Sequence, residues 1–366
     1  MISLSDPGVP LRRAALDSRG GFAWWYVDLI DGNGRGLVLI WSFGLPFLPG
    51  YRSGARSGSP TVARDRPSLN IATYDRGRPD LYLLQEWPAE DVRWDSGTER
   101  VTFGDAVELM TTASDGSRSL HATLDLALPG TRERLTGSVI VTGPMCLLPP
   151  SDLATNDHSW SPLTTATTGS ASLRVGDGWR FDLMGRAYHD RNESTVPLDA
   201  LGIRYWVWGR TPLPEGELIH YLLWPDATDA AIEARAWFVG LDGRGEELKV
   251  HAVDDGPMRR SNYGMRHHPE IRLSTSAGPV TVRTTSVIDD GPFYLRMFTE
   301  VEAPHGTGRG VAEAILPDRI DRAVHRPLVR MAVHDLSGRG SWWAPLFNGP
   351  RAGRVSRLFG PRAAAS

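Results

Sequence analysis

Residues 120–128 read Leu120-His121-Ala122-Thr123-Leu124-Asp125-Leu126-Ala127-Leu128, a stretch in which leucine or alanine alternates with mostly polar side chains. This period of two is typical of a β-strand that buries one face, because successive side chains point to opposite sides of a strand. Similar runs, bounded by Gly, Pro, Asp or Asn, are Leu37–Phe43, Ile203–Trp208, Val280–Thr285, Phe293–Val301 and Val329–Val333. The sequence therefore predicts an all-β fold.

Turns are plentiful and helices are predicted to be few. The chain contains 39 Gly and 27 Pro. The one fair helix candidate is Val311–Val324, which Pro317 weakens because proline removes a helical hydrogen bond. We expect short helices only.

Two domains are predicted from the length of 366 residues and from a faint internal repeat. Ala23–Arg35 and Ala236–Gly245 each read as an aromatic strand that enters a glycine-rich turn. Two copies far apart in the chain favour two related β-barrel or sandwich domains in tandem. We place the boundary so that the domains span residues 1–195 and 196–366.

Charge and cysteine content narrow the class of protein. The formal net charge is −3, and this near balance argues against nucleic acid as a partner, since a phosphate-binding face normally gives a basic excess. Cys146 is the single cysteine, which suits a reducing compartment. The longest apolar run, Leu37–Pro49, is too short and broken to span a bilayer. We expect a soluble cytoplasmic protein, which a hydrophobic ligand could bring to a membrane surface.

The sequence gives no sign of a cofactor or metal. The glycines at 32, 34 and 36 lead into a predicted strand, whereas a dinucleotide fingerprint leads into a helix. The ten histidines lack metal-ligand spacing, and His267-His268 is interpreted as a surface loop. We therefore predict no metal, nucleotide or flavin, and make no prediction of the oligomeric state.

Two short stretches carry the residue types that chemistry needs. They are Asp157–Pro162, which reads Asp-His-Ser-Trp-Ser-Pro, and Gly185–Asn192, which reads Gly-Arg-Ala-Tyr-His-Asp-Arg-Asn. Residues two apart share one face of an extended chain, so His158 pairs with Trp160 and Tyr188 pairs with Asp190. On neighbouring strands the two pairs would supply an acid, a base or water-binding group, and two aromatic walls. Each residue is also consistent with an ordinary core or turn position.

The same stretches resemble those of a known family. The stretch Gly20-Gly21-Phe22-Ala23-Trp24-Trp25-Tyr26-Val27-Asp28 is similar to the first motif of the carotenoid 1,2-hydratase (hydroxyneurosporene synthase) family. His158-Ser159-Trp160 and Tyr188-His189-Asp190-x-Asn192 resemble its two central motifs, and Tyr205–Arg210 resembles the aromatic strand after them. The likeness covers roughly residues 20–225. The wider superfamily includes fungal lipocalin-like Diels–Alderases.

The resemblance implies two lipocalin-like β domains and an aromatic pocket. It implies that the functional residues correspond here to His158, Trp160, Tyr188 and Asp190. The aromatic residues expected to bind a hydrophobic small-molecule substrate are Trp24, Trp25, Trp206 and Trp208.

Three functions follow as hypotheses. The first is an enzyme that hydrates or cyclises an isoprenoid alkene, in which a buried and protonated Asp190 donates the first proton and aromatic faces stabilise the carbocation. In that mechanism His158 holds the water or takes the leaving proton. The second is a pericyclase or isomerase that folds a polyene without an acid. The third is a non-catalytic carrier of a hydrophobic ligand, for which a carboxyl group in the pocket would be a burden.

Overall fold

The computed structural model describes residues 2–5, 8–95, 99–128, 132–149, 158–227, 229–325, 328–329 and 332–335. The strands of the N-terminal half are β1 (Ile2–Leu4), β2 (Phe22–Ile30), β3 (Gly36–Phe43), β4 (Pro67–Asp75), β5 (Arg78–Glu86), β6 (Val92–Asp95), β7 (Arg100–Phe103), β8 (Val107–Ser114), β9 (Ser117–Ala127), β10 (Arg134–Pro144), β11 (His158–Val175) and β12 (Trp179–Ser194). Those of the C-terminal half are β13 (Ile203–Leu213), β14 (Gly216–Pro225), β15 (Glu233–Gly240), β16 (Gly245–Leu248), β17 (Val250–Asp254), β18 (Arg259–Arg260), β19 (Arg266–His267), β20 (Glu270–Thr275), β21 (Gly278–Asp290), β22 (Tyr294–Ala303), β23 (Gly306–Ile315) and β24 (Ala332–Asp335).

The helical segments are short. The α-helices are α1 (Arg13–Asp17) and α2 (Tyr51–Arg56), and the 3₁₀ turns are Ala63–Asp65, Ala89–Asp91, Leu198–Ala200 and Pro317–Arg319. The prediction of a nearly all-β protein with few short helices is confirmed. Within the described part of the chain, no helix combines the length and apolar character that crossing a membrane requires.

Most of the described strands form two large curled sheets, and β18 and β19 form a separate two-stranded sheet. The first has the order β24-β5-β4-β3-β2-β12-β11-β10-β9-β8-β7-β6, and β1 pairs in parallel with β11. The second has the order β16-β15-β14-β13-β23-β22-β21-β20-β17. Sheet membership changes between Ser194 and Ile203, whereas Ala332–Asp335 returns to the first sheet. The division at 195 and 196 remains a prediction.

The helix expected at Val311–Val324 is wrong. Residues up to Ile315 belong to β23, which pairs with β22 on one side and β13 on the other. Pro317–Arg319 then forms a single 3₁₀ turn. Pairing on both sides satisfies the backbone hydrogen bonds of this segment, so tertiary context overrides an apolar spacing that also fits a helix.

Each sheet buries an apolar core of its own, and a third core lies between the sheets. Alternation on β2 sends Val27 into the core of the first sheet and Tyr26 into the core between the sheets. Alternation on β13 likewise sends Val207 into the core of the second sheet and Trp208 into the shared core. Strands that are buried on both faces explain why both stretches are almost continuously apolar.

Candidate active site

Asp190 lies on β12 in the core between the sheets, with 3% of its surface exposed. Its Oδ2 accepts hydrogen bonds from Trp160 Nε1 and from the Tyr188 hydroxyl, both at 2.9 Å. Its Oδ1 accepts a hydrogen bond from Asn192 Nδ2 at 3.1 Å. Tyr188, Asp190 and Asn192 share one face of the strand because they are two residues apart. Three of the four predicted catalytic residues, Trp160, Tyr188 and Asp190, are therefore in direct contact.

Burial controls the charge of this carboxyl group. Desolvation raises the pKa of Asp190 to about 8, although the hydrogen bonds from Trp160 and Tyr188 oppose the rise. The nearby carboxyl groups of Glu313 and Asp28 raise the pKa further. Asp190 is therefore mainly protonated at neutral pH and holds a proton inside an apolar core.

His158, on β11, is the fourth nominated residue and joins the cluster through Asn192. Its Nε2 lies 3.1 Å from Asn192 Oδ1. Because Asn192 gives an amide hydrogen to Asp190, its carbonyl oxygen accepts the Nε2 hydrogen, and Nδ1 carries the lone pair. Burial lowers the pKa of His158 to about 3, so the ring stays neutral. Among the described residues, Nδ1 has no hydrogen-bond partner.

Asn192 belongs to the second motif, but the sequence analysis did not predict it as a site residue. The signal was available, since Asn192 lies two residues after Asp190 and so shares its face of β12. Asp157, the first residue of the other stretch, lies outside the described residues.

Aromatic rings surround the polar cluster. The ring centroid of Trp206 lies 5.2 Å from that of His158, and Trp208 lies 5.3 Å from Tyr188. Trp24 lies 6.3 Å from His158. Further rings that the sequence did not nominate are Phe22, Tyr26, Tyr221 and Trp237.

Trp25 is not part of this cluster, contrary to the sequence expectation. It projects from the opposite face of β2 into the core of the first sheet. There it stacks on Trp41 with centroids 5.9 Å apart and planes 4° from parallel. Adjacent residues of a strand cannot line the same pocket face, so only Trp24 of this pair reaches the shared core.

A buried charge cluster lies beside the aromatic rings. Arg210 pairs with Asp28 and, at 2.7 Å, with Glu217. Arg296 pairs with Asp28 at 2.8 Å and with Glu313. These groups join β2 of the first sheet to the second sheet. Their partners are far apart in sequence, which is why no local motif indicated the cluster.

A cavity of about 90 Å³ lies next to this charge cluster. Its lining is mainly apolar and aromatic and comprises Trp24, Tyr26, Val38, Ile40, Leu45, Phe47, Asn70, Tyr74, Tyr82, Asp289, Gly291, Pro292, Phe293, Tyr294, Glu313, Ile315 and Val329. Asp190 is not among these residues. An apolar cavity with a few polar groups is the usual form of a small-molecule site.

Strand register shows how Asp190 relates to the cavity. Asp190, Tyr26, Ile40 and Asn70 form one row across β12, β2, β3 and β4. The last three line the cavity, so Asp190 lies one strand beyond its edge. Tyr26 is the side chain between them, with its ring centroid 6.2 Å from that of Tyr188.

The facing sheet presents a second row. Trp208, Glu313, Arg296 and Asp289 are register partners across β13, β23, β22 and β21. Glu313 and Asp289 line the cavity. Trp208 therefore lies at the end of this row that is nearer Asp190, whereas Glu313 and Asp289 lie at the cavity.

Metal ligation has no support in the part of the chain that the structure describes. There, no group of three or more His, Cys, Asp and Glu side chains is placed to hold a metal ion.

Comparison with known proteins assigns the chain to a family. The family model of Carotenoid hydratase CrtC matches residues 40–340. The chain belongs to the carotenoid hydratase family. The resemblance seen in the sequence motifs is thereby confirmed, and membership places the protein among the alkene hydratases, a class of enzymes.

Curated relatives are similar to this protein over most of its chain. The chain is 27% identical over 333 residues to a Hydroxyneurosporene dehydrogenase of Chlorobaculum tepidum, covering 82% of this chain and 84% of the relative. It is 29% identical over 290 residues to an Acyclic carotenoid 1,2-hydratase of Rubrivivax gelatinosus, covering 76% of this chain and 64% of that relative.

Solved structures share the fold. An AttH protein of Nitrosomonas europaea superposes with a TM-score of 0.56 at 16% identity, covering 84% of this chain and 98% of that chain. CghA, solved with Sch210972, gives a TM-score of 0.54 at 12% identity, covering 86% of this chain and 94% of that chain. At these identities the likeness shows the architecture alone.

Proposed function

We propose that this protein adds water across a trisubstituted double bond of an acyclic isoprenoid, with Asp190 as the general acid. The observation that carries the proposal is a carboxyl group buried among Trp160 and Tyr188 in an aromatic core, where desolvation raises its pKa to about 8. Relatives named as acyclic carotenoid hydratases support the reaction and the substrate class. The chemistry begins with transfer of the Asp190 proton to one alkene carbon, which leaves a tertiary carbocation at the other carbon.

Aromatic faces suit the stabilisation of that cation. Tyr188, Trp208 and Tyr26 lie ring against ring, with each pair of centroids between 5.3 and 6.2 Å apart. A cation over a desolvated aromatic face gains about 2 kcal/mol. Rings also offer no nucleophile that would trap the cation before water arrives.

His158 and Trp206 have the groups that the attacking water needs. Nδ1 of His158 is an acceptor and Nε1 of Trp206 is a donor, and neither has a partner among the described residues. Their ring centroids lie 5.2 Å apart. A water held by both would add its oxygen to the cation and give one proton to His158 Nδ1. The protonated ring then releases that proton, and Asp190 takes up a proton, which restores the starting state of both groups.

The substrate must pass an aromatic wall to reach Asp190. Tyr26 is tied by its hydroxyl, which lies 2.7 Å from Asp28 and 2.6 Å from Arg296. Trp24 is held by ring contacts with Phe22 and His158. An alkene in the cavity therefore reaches Asp190 only when the ring of Tyr26, or that of its neighbour Trp24 on the same face of β2, moves aside.

Turnover of an acyclic carotenoid in deuterium oxide tests the proposed reaction. Hydration adds the mass of one water and places one deuterium on carbon. Protonative cyclisation that ends in proton loss adds one carbon-bound deuterium without water, and a pericyclic reaction or simple binding adds none. Product without added water would contradict the proposed hydration, and the presence or absence of carbon-bound deuterium would then separate protonative cyclisation from a pericyclic reaction or simple binding.

Substituting the two adjacent tryptophans separates their roles. Trp24→Phe is expected to lower kcat/KM for the alkene by about 10-fold, because Trp24 lines the cavity. Trp25→Phe is expected to lower the free energy of unfolding by roughly 1–3 kcal/mol and to leave kcat/KM nearly unchanged. Steady-state kinetics and urea unfolding of both variants check this. Equal kinetic losses in the two variants would contradict the assignment of Trp25 to the core.

A further inference from the structure

The side chain of Asn192 joins the carboxyl group of Asp190 to the ring of His158. Asn192 is 3% exposed, its Nδ2 donates to Asp190 Oδ1 at 3.1 Å, and its Oδ1 lies 3.1 Å from His158 Nε2. The register explains this reach, because Asn192 on β12 lies opposite Trp160 on β11, and His158 is two residues before Trp160 on the same face. One amide group therefore bridges two neighbouring strands.

The two ends of an amide group are not interchangeable, and this gives the bridge a direction. The amide nitrogen can only donate a hydrogen bond, and the amide oxygen can only accept one. Because the nitrogen faces Asp190, the oxygen faces His158 and requires a hydrogen on Nε2. Burial lowers the pKa of His158 to about 3, so the neutral ring carries a hydrogen on one nitrogen only. Nδ1 is left as an acceptor.

No other described side chain makes a direct hydrogen bond to the His158 ring that would select a tautomer. The rings around it belong to Phe22, Trp24 and Trp206. Nδ1 has no hydrogen-bond partner among the described residues. The hydrogen bond that one ring nitrogen makes decides which nitrogen carries the hydrogen. The tautomer of His158 therefore depends on Asn192.

The same amide group contacts the oxygen of Asp190 that carries the acidic hydrogen. Oδ2 accepts hydrogen bonds from Trp160 Nε1 and from the Tyr188 hydroxyl, which occupies both of its lone pairs. The acidic hydrogen therefore lies on Oδ1, beside the hydrogen bond from Asn192. Once the proton has left, this bond becomes charge-assisted and stabilises the carboxylate.

We propose that Asn192 is a positioning residue that couples the acid to the base. Its amide nitrogen stabilises the carboxylate form of Asp190, and its amide oxygen holds His158 in the tautomer whose Nδ1 can take a proton from water. This role rests on the proposed hydratase function, which needs both groups in one turnover. Asn192 does not line the cavity, so it acts through these two residues rather than on the substrate.

Two substitutions remove the bridge in different ways. Asn192→Leu keeps a similar size without any hydrogen-bonding group, and Asn192→Ser leaves a shorter side chain that cannot reach both partners. Ser3→Ala is the matched control, because the buried Ser3 Oγ donates to the main-chain oxygen of His158 at 3.0 Å and lies 3.2 Å from Ser159 Oγ. The control removes a buried hydrogen bond at His158 without changing the partner of its ring.

The tautomer is measured by long-range ¹H–¹⁵N correlation spectra of the full chain labelled with ¹⁵N-histidine. The signals of His158 are identified by their absence in His158→Gln. We expect the hydrogen on Nε2 and an unprotonated Nδ1 in the wild type and in Ser3→Ala. Both tautomers should be populated in Asn192→Leu and Asn192→Ser, because neither ring nitrogen then has a fixed acceptor.

Steady-state kinetics with an acyclic carotenoid give the second readout. In both Asn192 variants kcat is expected to fall roughly 10–100-fold, as when a hydrogen-bond partner that orients a functional histidine is lost. KM should remain nearly unchanged, because Asn192 lies outside the cavity lining. Ser3→Ala should keep the wild-type kcat.

The outcomes separate this proposal from the hydratase function. A hydrogen on Nδ1 of wild-type His158, or a wild-type tautomer in either folded Asn192 variant, would overturn the positioning role. An equal fall of kcat in Ser3→Ala would also overturn it, since the loss of any buried hydrogen bond nearby would then be sufficient. If the tautomer shifts as expected while the wild type forms no hydrated product, the hydratase function fails, whereas the control of the tautomer by Asn192 is confirmed.

Discussion

Replacing Asp190 by Asn is expected to lower kcat by about 10²–10⁴-fold, the usual contribution of a general acid. Asn has nearly the same shape, and its carbonyl oxygen can still accept the hydrogen bonds that Trp160 and Tyr188 give to Asp190, whereas its amide nitrogen cannot accept the hydrogen bond that Asn192 gives to Oδ1. The substitution therefore removes the transferable proton while it keeps the packing. Steady-state kinetics, together with urea unfolding of the same preparation, checks both parts of this expectation.

Asp182→Asn is the matched control for this variant. Asp182 lies on the same strand, but its side chain is 45% exposed and pairs with Arg180 at the surface. Its loss should leave kcat unchanged. If Asp190→Asn retained near wild-type turnover, the proton would come from another group, and the acid would have to be sought elsewhere in the shared core.

Arg210→Met is expected to give the largest loss of stability. The Arg210 side chain is fully buried and pairs with Asp28 and Glu217. Methionine preserves much of the apolar stem but leaves Glu217 without its cationic partner. Removing one member of a buried ion pair typically costs 3–5 kcal/mol, so we expect the free energy of unfolding to fall by about that amount. Urea unfolding at neutral pH measures it.

Arg283→Met is the control, because Arg283 also bridges two carboxylates. It pairs with Glu270 at 2.7 Å and Glu302 at 2.5 Å, yet its side chain is 44% exposed. Solvent screens this arrangement, so little change in stability is expected. If the free energy of unfolding fell by a similar amount in both variants, burial would not be the reason that the Arg210 ion pairs stabilise the fold.

Local patterns were sufficient to predict the strands and the pairs within them. The period of two placed Tyr188 with Asp190, and His158 with Trp160, because residues two apart share a face whatever the rest of the fold does. The same rule should have separated Trp24 from Trp25. Nothing local indicates which face of a doubly buried strand meets the pocket, so the sequence nominated both residues.

These local patterns could not predict which residues far apart in the chain would meet in the fold. Glu313 lines the cavity because β23 lies between β22 and β13 in the second sheet. The sequence analysis predicted a helix at Val311–Val324 and therefore did not place Glu313 on a strand. Asp28, Arg210 and Arg296 meet across two sheets, which is a consequence of tertiary packing rather than of spacing. An Arg or Glu in an apolar strand is the one local sign of such a cluster, since unpaired charges are rarely buried.

Infrared difference spectroscopy of Asp190 tests the central claim most directly. The carbonyl stretch of a protonated carboxylic acid, taken as wild type minus Asp190→Asn, should be present at pH 6 and disappear as the pH rises through about 8. The loss runs in this direction because burial stabilises the neutral form, so ionisation requires a higher pH than for an exposed Asp. A band that has already vanished at neutral pH, with a midpoint near the ordinary value of 3.8, would show that Asp190 holds no proton to give.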